Sequence, residues 1–340
     1  GSAGLFGENG TAITNSGNIN ISNNGVGIYA VSYQDPQNPE TTFGDGTISI
    51  VNNGSITTET SSKAIGIYAN NNKTGALRSS GTLNLANGLV DVSLSESGTG
   101  IYSENNTVIG GGTISVGENG TGIYAKNSDL NLSNLTLNLK GDNSLGIYLD
   151  SGSNLNMSGT NTANISGKNN ILFYLDSDGI FNQNFVINAA SDTTYSLAYL
   201  KNNKIAYDGT VVTNGDGALF YGTNSSITIN PTASLTSTGN NTVGVYVDGL
   251  YDNGNSDYEG INKGIINLKD NSAGLYAING ARLSNENAIS VGDMSIGMYN
   301  ENGSDVKNSG KITIGNNSVG ITADNVTSVE NIGDIFSLSE

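Results

Sequence analysis

The chain has 340 residues, enough for a sizeable core, and its 13 basic against 30 acidic side chains leave a formal charge of −17. An acidic chain without a basic cluster argues against nucleic acid and against docking on anionic lipid. With no Cys and no His there is no disulfide, no thiolate metal site and no Ser-His-Asp or Cys-His catalytic arrangement.

Residues 1–3 read as an expression remnant, and residues 4–340 as a single elongated domain. The reason for one domain is a repeat that runs end to end. It begins at Gly4-Leu5-Phe6 and recurs as Val26-Gly27-Ile28-Tyr29-Ala30 and Ile65-Gly66-Ile67-Tyr68-Ala69. Further copies centre on Tyr102, Tyr124, Tyr148, Tyr174, Tyr199, Tyr221, Tyr246, Tyr276 and Tyr299, and the series closes at Gly320-Ile321-Thr322. From Phe6 to Thr322 the intervals are 23, 39, 34, 22, 24, 26, 25, 22, 25, 30, 23 and 23 residues. Such a period implies stacked supersecondary units that bury their apolar faces against one another.

In most copies apolar residues stand three before, one before and one after the Tyr, as Val26, Ile28 and Ala30 do around Tyr29. Alternation of period two predicts a strand with those residues inward and with Gly and Tyr sharing the outer face. Each unit holds further alternating pieces, such as Asn18-Ile19-Asn20-Ile21, Thr82-Leu83-Asn84-Leu85 and Lys311-Ile312-Thr313-Ile314. Asn-Gly, Gly-Asp and Asn-Asn turns join them, where positive φ is cheap. Nothing carries helical caps with a 3.6-residue period. The expected fold is all-β: a right-handed parallel β-helix, a solenoid of about 13 coils with projecting loops. Asn recurring at the turns predicts amide ladders along the axis.

Departures from the period mark the candidate sites. The 39-residue interval holds Tyr33, Asp35 and Phe43 around two of the three prolines and predicts a projecting loop. The 34-residue interval holds Val90-Asp91-Val92-Ser93-Leu94, read as an extra strand pairing outside the coil. Three successive coils carry Leu172, Leu197 and Leu219 at the Gly position. With Tyr174, Tyr199 and Tyr221 these predict an outward apolar patch, unless segments near Phe181 to Ile187 or Lys204 to Tyr207 fold over it. The 30-residue interval holds Tyr251, Asp257 and Tyr258 and predicts a second loop at the same corner as the first.

Other constellations have plainer readings. Eleven of the 16 tyrosines occupy the repeat position. An outward aromatic file suits a sugar or protein partner, but cross-coil stacking explains it more simply. Asp150 and Asp176, two residues after their tyrosines, would lie about 5 Å apart at the backbone, a carboxylate spacing that retaining glycosidases share. Any two adjacent coils produce that spacing, and a solvated charge column flanked by Lys126 and Lys201 is the simpler account. Asp176-Ser177-Asp178-Gly179 and Asp252-Asn253-Gly254-Asn255 are oxygen-rich, yet neither completes a calcium loop, so they read as Asx turns. No metal, no cofactor and no catalytic activity are expected.

The phased Gly-Ile-Tyr-Ala strands, the Asn-x-Gly-x-Ile-x-Ile strands and the Asn/Gly/Ser/Thr bias resemble passenger domains of bacterial type V autotransporters. The resemblance is strongest to the very large adhesins of the fusobacterial outer membrane and covers essentially the whole chain. It implies a parallel β-helix exported to the cell surface, with its membrane anchor outside this sequence. The implied role is attachment to host glycoproteins or glycans, or coaggregation with other bacterial cells. Two alternatives stand beside it. One is a stalk that spaces a distal tip, and the other a carboxylate-based polysaccharide-cleaving β-helix.

Overall fold

The computed structural model describes residues 2–22, 24–32, 47–59, 63–71, 81–190, 192–251 and 258–338. They are all-β, with parallel strands stacked as a β-solenoid of about 13 turns and no helix among them. The chain divides into two compact units, 1–170 and 171–340. Each coil contributes three strands in the same order: one bearing the Tyr, then a second and a third.

In the first unit the tyrosine strands include Val26–Ser32, Ile65–Asn71, Thr99–Glu104 and Thr121–Lys126. The second strands include Ser49–Asn52 and Asn106–Gly110, and the third strands Ser55–Thr58, Leu89–Val92 and Thr113–Val116. Equivalent residues pair directly, so Tyr29 meets Tyr68, Tyr68 meets Tyr102 and Tyr102 meets Tyr124. Leu89–Val92 pairs with Ser55–Thr58 on one side and Thr113–Val116 on the other. It is therefore a wall of its own coil, which corrects its reading as an extra strand outside. Val90 and Val92 are buried there.

The interior explains the strand sequence, with one correction. The residues before and after the Tyr point inward as expected: Ile28, Ala30, Ile67, Ala69, Ile123 and Ala125 are fully buried. The Gly two before the Tyr is buried too, while Val26, Ile65 and Leu145 three before are only half-buried. Two neighbouring inward residues cannot belong to a straight strand, in which side chains alternate. The chain must bend between the Gly and the aliphatic residue. At that bend a side chain on Gly122 would begin 2.5 Å from the Gly146 carbonyl oxygen of the next coil and 2.8 Å from Leu137 Cδ1. Gly27, Gly66, Gly100, Gly274 and Gly297 face the same carbonyl at 2.5–2.6 Å. Glycine here permits close backbone approach.

The second unit repeats the plan, with tyrosine strands such as Tyr195–Lys201, Gly217–Thr223, Thr242–Asp248 and Ile296–Glu301. Its first coils carry larger interior side chains. Leu172, Leu197 and Leu219 fill the Gly position and are buried. The outward apolar patch expected of them does not form, because this position lies inside the bend. Phe173 packs on Phe181 and Phe185, with ring centroids 5.1 and 5.8 Å apart, and Tyr207 on Phe220 at 4.8 Å. Gly179–Phe181, Phe185–Ala189 and Lys204–Tyr207 are thus coil walls that contribute to this core and do not fold over a patch.

Corners fall where the sequence places Asn. Asn24, Asn119, Asn143, Asn241, Asn271 and Asn317 precede a tyrosine strand with φ of 53° to 59°. Asn105, Asn127, Asn202, Asn224, Asn279, Asn302 and Asn325 follow one with φ of 46° to 59°. Asn tolerates the left-handed region better than other side chains. The expected amide ladder is present: Asn262 donates to Asn285 at 2.8 Å, Asn285 to Asn308 at 2.7 Å and Asn308 to Asn331 at 2.7 Å.

The substitution Gly122→Leu tests the close approach. Overpacking of this kind should cost about 1–3 kcal/mol, read as a lower urea midpoint, whereas Thr121→Ser on the outer face should change little. An unshifted midpoint for Gly122→Leu would refute the account.

Candidate functional site

The residues available for recognition lie on the outer face of the tyrosine strands and at the corner that follows it. In the first unit the rings form a closed stack. Neighbouring centroids from Phe6 through Tyr29, Tyr68, Tyr102 and Tyr124 to Tyr148 lie 4.5–5.7 Å apart, with planes within 11° of parallel. Each inner ring covers its neighbours' faces and leaves only an edge to solvent. The simpler reading of the file therefore matches its geometry. Tyr102 donates to Glu104 Oε2 at 2.7 Å, and Glu104 pairs with Lys126 Nζ at 2.9 Å and accepts from Asn70 at 3.1 Å. Burial first, and then the Glu104 carboxylate, raise the Tyr102 phenol far above its ordinary value.

In the second unit the stack is broken. Planes of Tyr174 and Tyr199 are 51° apart, those of Tyr199 and Tyr221 77°, and those of Tyr221 and Tyr246 84°. Parallel stacking resumes from Tyr246 to Tyr276 at 13° and from Tyr276 to Tyr299 at 17°. The three rings that begin these tilted pairs stand in the coils with Leu172, Leu197 and Leu219. The rings thus turn out of the stack in the coils that carry a side chain at the tight bend, although their strands keep the same register.

The insertion of the 30-residue interval is anchored at its base. Glu259 is 1% exposed and accepts from Arg282 Nε at 3.1 Å, from Arg282 Nη2 at 2.8 Å and from the Arg282 backbone N–H at 2.8 Å. The Tyr251 N–H also reaches this carboxylate, at 3.4 Å. The Tyr251 hydroxyl donates to Asp178 Oδ2 at 3.2 Å. Asp178 lies three coils back, about 14 Å at 4.8 Å per coil, farther than a tyrosine side chain extends. The contact therefore spans coils along the outer surface, while Leu250 itself lies against the following coil, 3.3 Å from where a side chain on Gly280 would begin. The hydrogen bonds from Arg282 raise its guanidinium pKa further above its ordinary value. Arg282 escaped the sequence reading, although it stands one coil after Glu259 and is one of two arginines in the chain.

The remaining candidates separate clearly. Tyr174, Tyr199 and Tyr221 are half-buried and outward, while their leucine partners are interior. Tyr251 and Tyr258 flank the insertion and are half-buried. Tyr33, Asp35, Phe43, Asp257 and the turn Asp252 to Asn255 lie outside the described residues. Asp150 Oδ1 accepts from the backbone of Asn127 and Gly152 and from the Ser153 hydroxyl, the role of a turn residue. Asp178 likewise accepts from the Lys204 N–H at 2.5 Å. Among the described residues no three acidic side chains converge as a metal site would require. No protein-family model matches the chain, and no curated protein matches it.

Two predictions follow from this chemistry. Removing one partner of the buried Glu259–Arg282 pair leaves an uncompensated charge. Glu259→Leu or Arg282→Met alone should cost about 3–5 kcal/mol, and the double variant far less than their sum. Additive losses in urea unfolding would refute the coupling. The second concerns alkali. Burial pushes the phenols of Tyr195 and Tyr207 from 10 up to about 12. Below pH 10 both are neutral whether the chain is folded or not. Between pH 10 and 12 the unfolded chain ionises them first, so stability falls as pH rises. Phenolate absorbance should then show tyrosines that ionise only together with loss of the β-sheet signal.

Proposed function

We propose that this chain is a segment of a cell-surface adhesin, in which solenoid coils form a rigid scaffold and inserted loops carry recognition. One observation supports this most: the long intervals open at a single corner of the coil. Ser32 and Asn71 are register partners at the ends of adjacent tyrosine strands, and 33–46 and 72–80 follow them. In the second unit Gly249 turns the chain out of Thr242–Asp248, and the insertion begins there. Loops held by a rigid framework commonly carry binding, since the framework keeps them in place without covering them. The partners that fit this reading are host glycoproteins or glycans and other bacterial cells.

A second reading is a stalk, favoured by the closed tyrosine stack of the first unit and by corner groups that bond to neighbouring coils. Cell and glycan-array binding separates the two. Under the adhesive reading, purified protein binds saturably, and deleting 33–43 or 252–257 reduces binding at least about tenfold, the scale of losing a hot spot. Folded protein that binds nothing, or binds equally without those loops, would refute it and leave the stalk.

A further inference from the structure

We propose that Tyr221 and Asp248 form a subsite for an arginine side chain of a basic partner segment. The argument starts from the ring. Tyr246 lies parallel to Tyr276, so its plane is that of the stack, and Tyr221 stands 84° from it and 77° from Tyr199. Tyr221 is therefore stacked face to face with neither neighbour, with centroids 4.8 and 5.3 Å away, so no parallel ring closes either of its faces, and the Tyr199 hydroxyl lies beside it, 3.4 Å from Thr223 Oγ1. It is the one ring of the described file that is nearly perpendicular to both neighbours. A planar cation is attracted to such a face.

Charge on the same surface selects the occupant. Thr223, two residues after Tyr221, is the register partner of Asp248, which lies two after Tyr246. Asp248 is thus the diagonal neighbour of Tyr221 on the outer face, within reach of a group lying over the ring. Its Oδ1 accepts from Asn279 at 2.7 Å, a neutral contact that leaves the carboxylate charge unmatched by that partner. Farther along the column, Glu301 and Asp324 occupy the equivalent positions in later coils. A guanidinium matches both elements, with its plane on the ring and its N–H fork toward Asp248. A chain of charge −17 also steers a basic partner toward it. The subsite names a ligand class for the adhesive reading but does not need the inserted loops.

The test uses the 340-residue chain labelled with ¹³C in its tyrosine rings, the Tyr221 signal being assigned with Tyr221→Phe. The probe is acetyl-Gly-Arg-Gly amide. The Tyr221 signal should shift saturably, the Tyr124 signal should not, and the shift should weaken with added salt. Asp248→Asn should weaken binding about three- to fivefold, as expected for one exposed charge contact. Tyr221→Phe should retain binding, read at the peptide's arginine protons, and Tyr221→Ala should lose it while keeping the β-sheet spectrum. An immobile Tyr221 signal, an equal shift with the citrulline peptide, or unchanged affinity in Asp248→Asn would overturn the proposal. So would a response to methyl β-D-glucopyranoside with none to the arginine peptide. A chain lacking 33–43 and 252–257 should still bind the peptide. Loss of cell binding with that response retained would leave both proposals standing, whereas loop-independent cell binding would sink the adhesive reading alone.

Discussion

Parallel in-register stacking governs this protein. Every residue in a coil wall sits about 4.8 Å from its equivalent in the next coil, so each position must suit a copy of itself. Tyrosine does, by ring stacking. Asparagine does, because its amide carries both a donor and an acceptor and can continue a ladder. Aliphatic residues do, by filling a uniform interior. Like charges do not, since directly opposed they repel, and charged residues make up only 13% of the chain. Where charges enter the column after the tyrosines, opposite signs meet at Glu104 and Lys126, whereas Glu301 and Asp324 stand in direct register as like charges.

The same constraint makes departures informative. Glycine at the inner bend brings successive backbones so close that no side chain fits without movement. Leucine at that place in three coils goes with an aromatic core and with rings turned out of the stack. A change inside the solenoid is thereby read on its surface. The insertion at 250–259 obeys similar logic. It leaves the coil at a corner, where no ladder is interrupted, and its base is held by an ion pair formed with the next coil.

Much of this was legible beforehand. Phased tyrosines at nearly constant intervals announced the stacking, the alternating pieces announced the strands, and Asn at the turns announced both the left-handed corners and the ladders. The inward position of the glycine was not legible. Period-two reasoning assumes a straight strand, and the bend between Gly27 and Ile28 breaks that assumption. The leucine patch was misplaced for the same reason, one bend turning Leu172, Leu197 and Leu219 from surface to core. The strand at Val90 was assigned outside the coil because the length of its interval was credited to the wrong segment; it lies in register with Ile56 and Ile114.

By itself, then, the sequence determined the repeat, the strand content, the corners and the identity of the stacking columns, because all of these are local patterns multiplied by a period. Only the tertiary structure decided which way each column faces at the bend, which rings close on one another, and that Glu259 finds Arg282 while Tyr251 reaches Asp178. Those outcomes depend on the angle at which neighbouring strands meet and on contacts between residues 23 and 73 positions apart, and no window along the chain contains them.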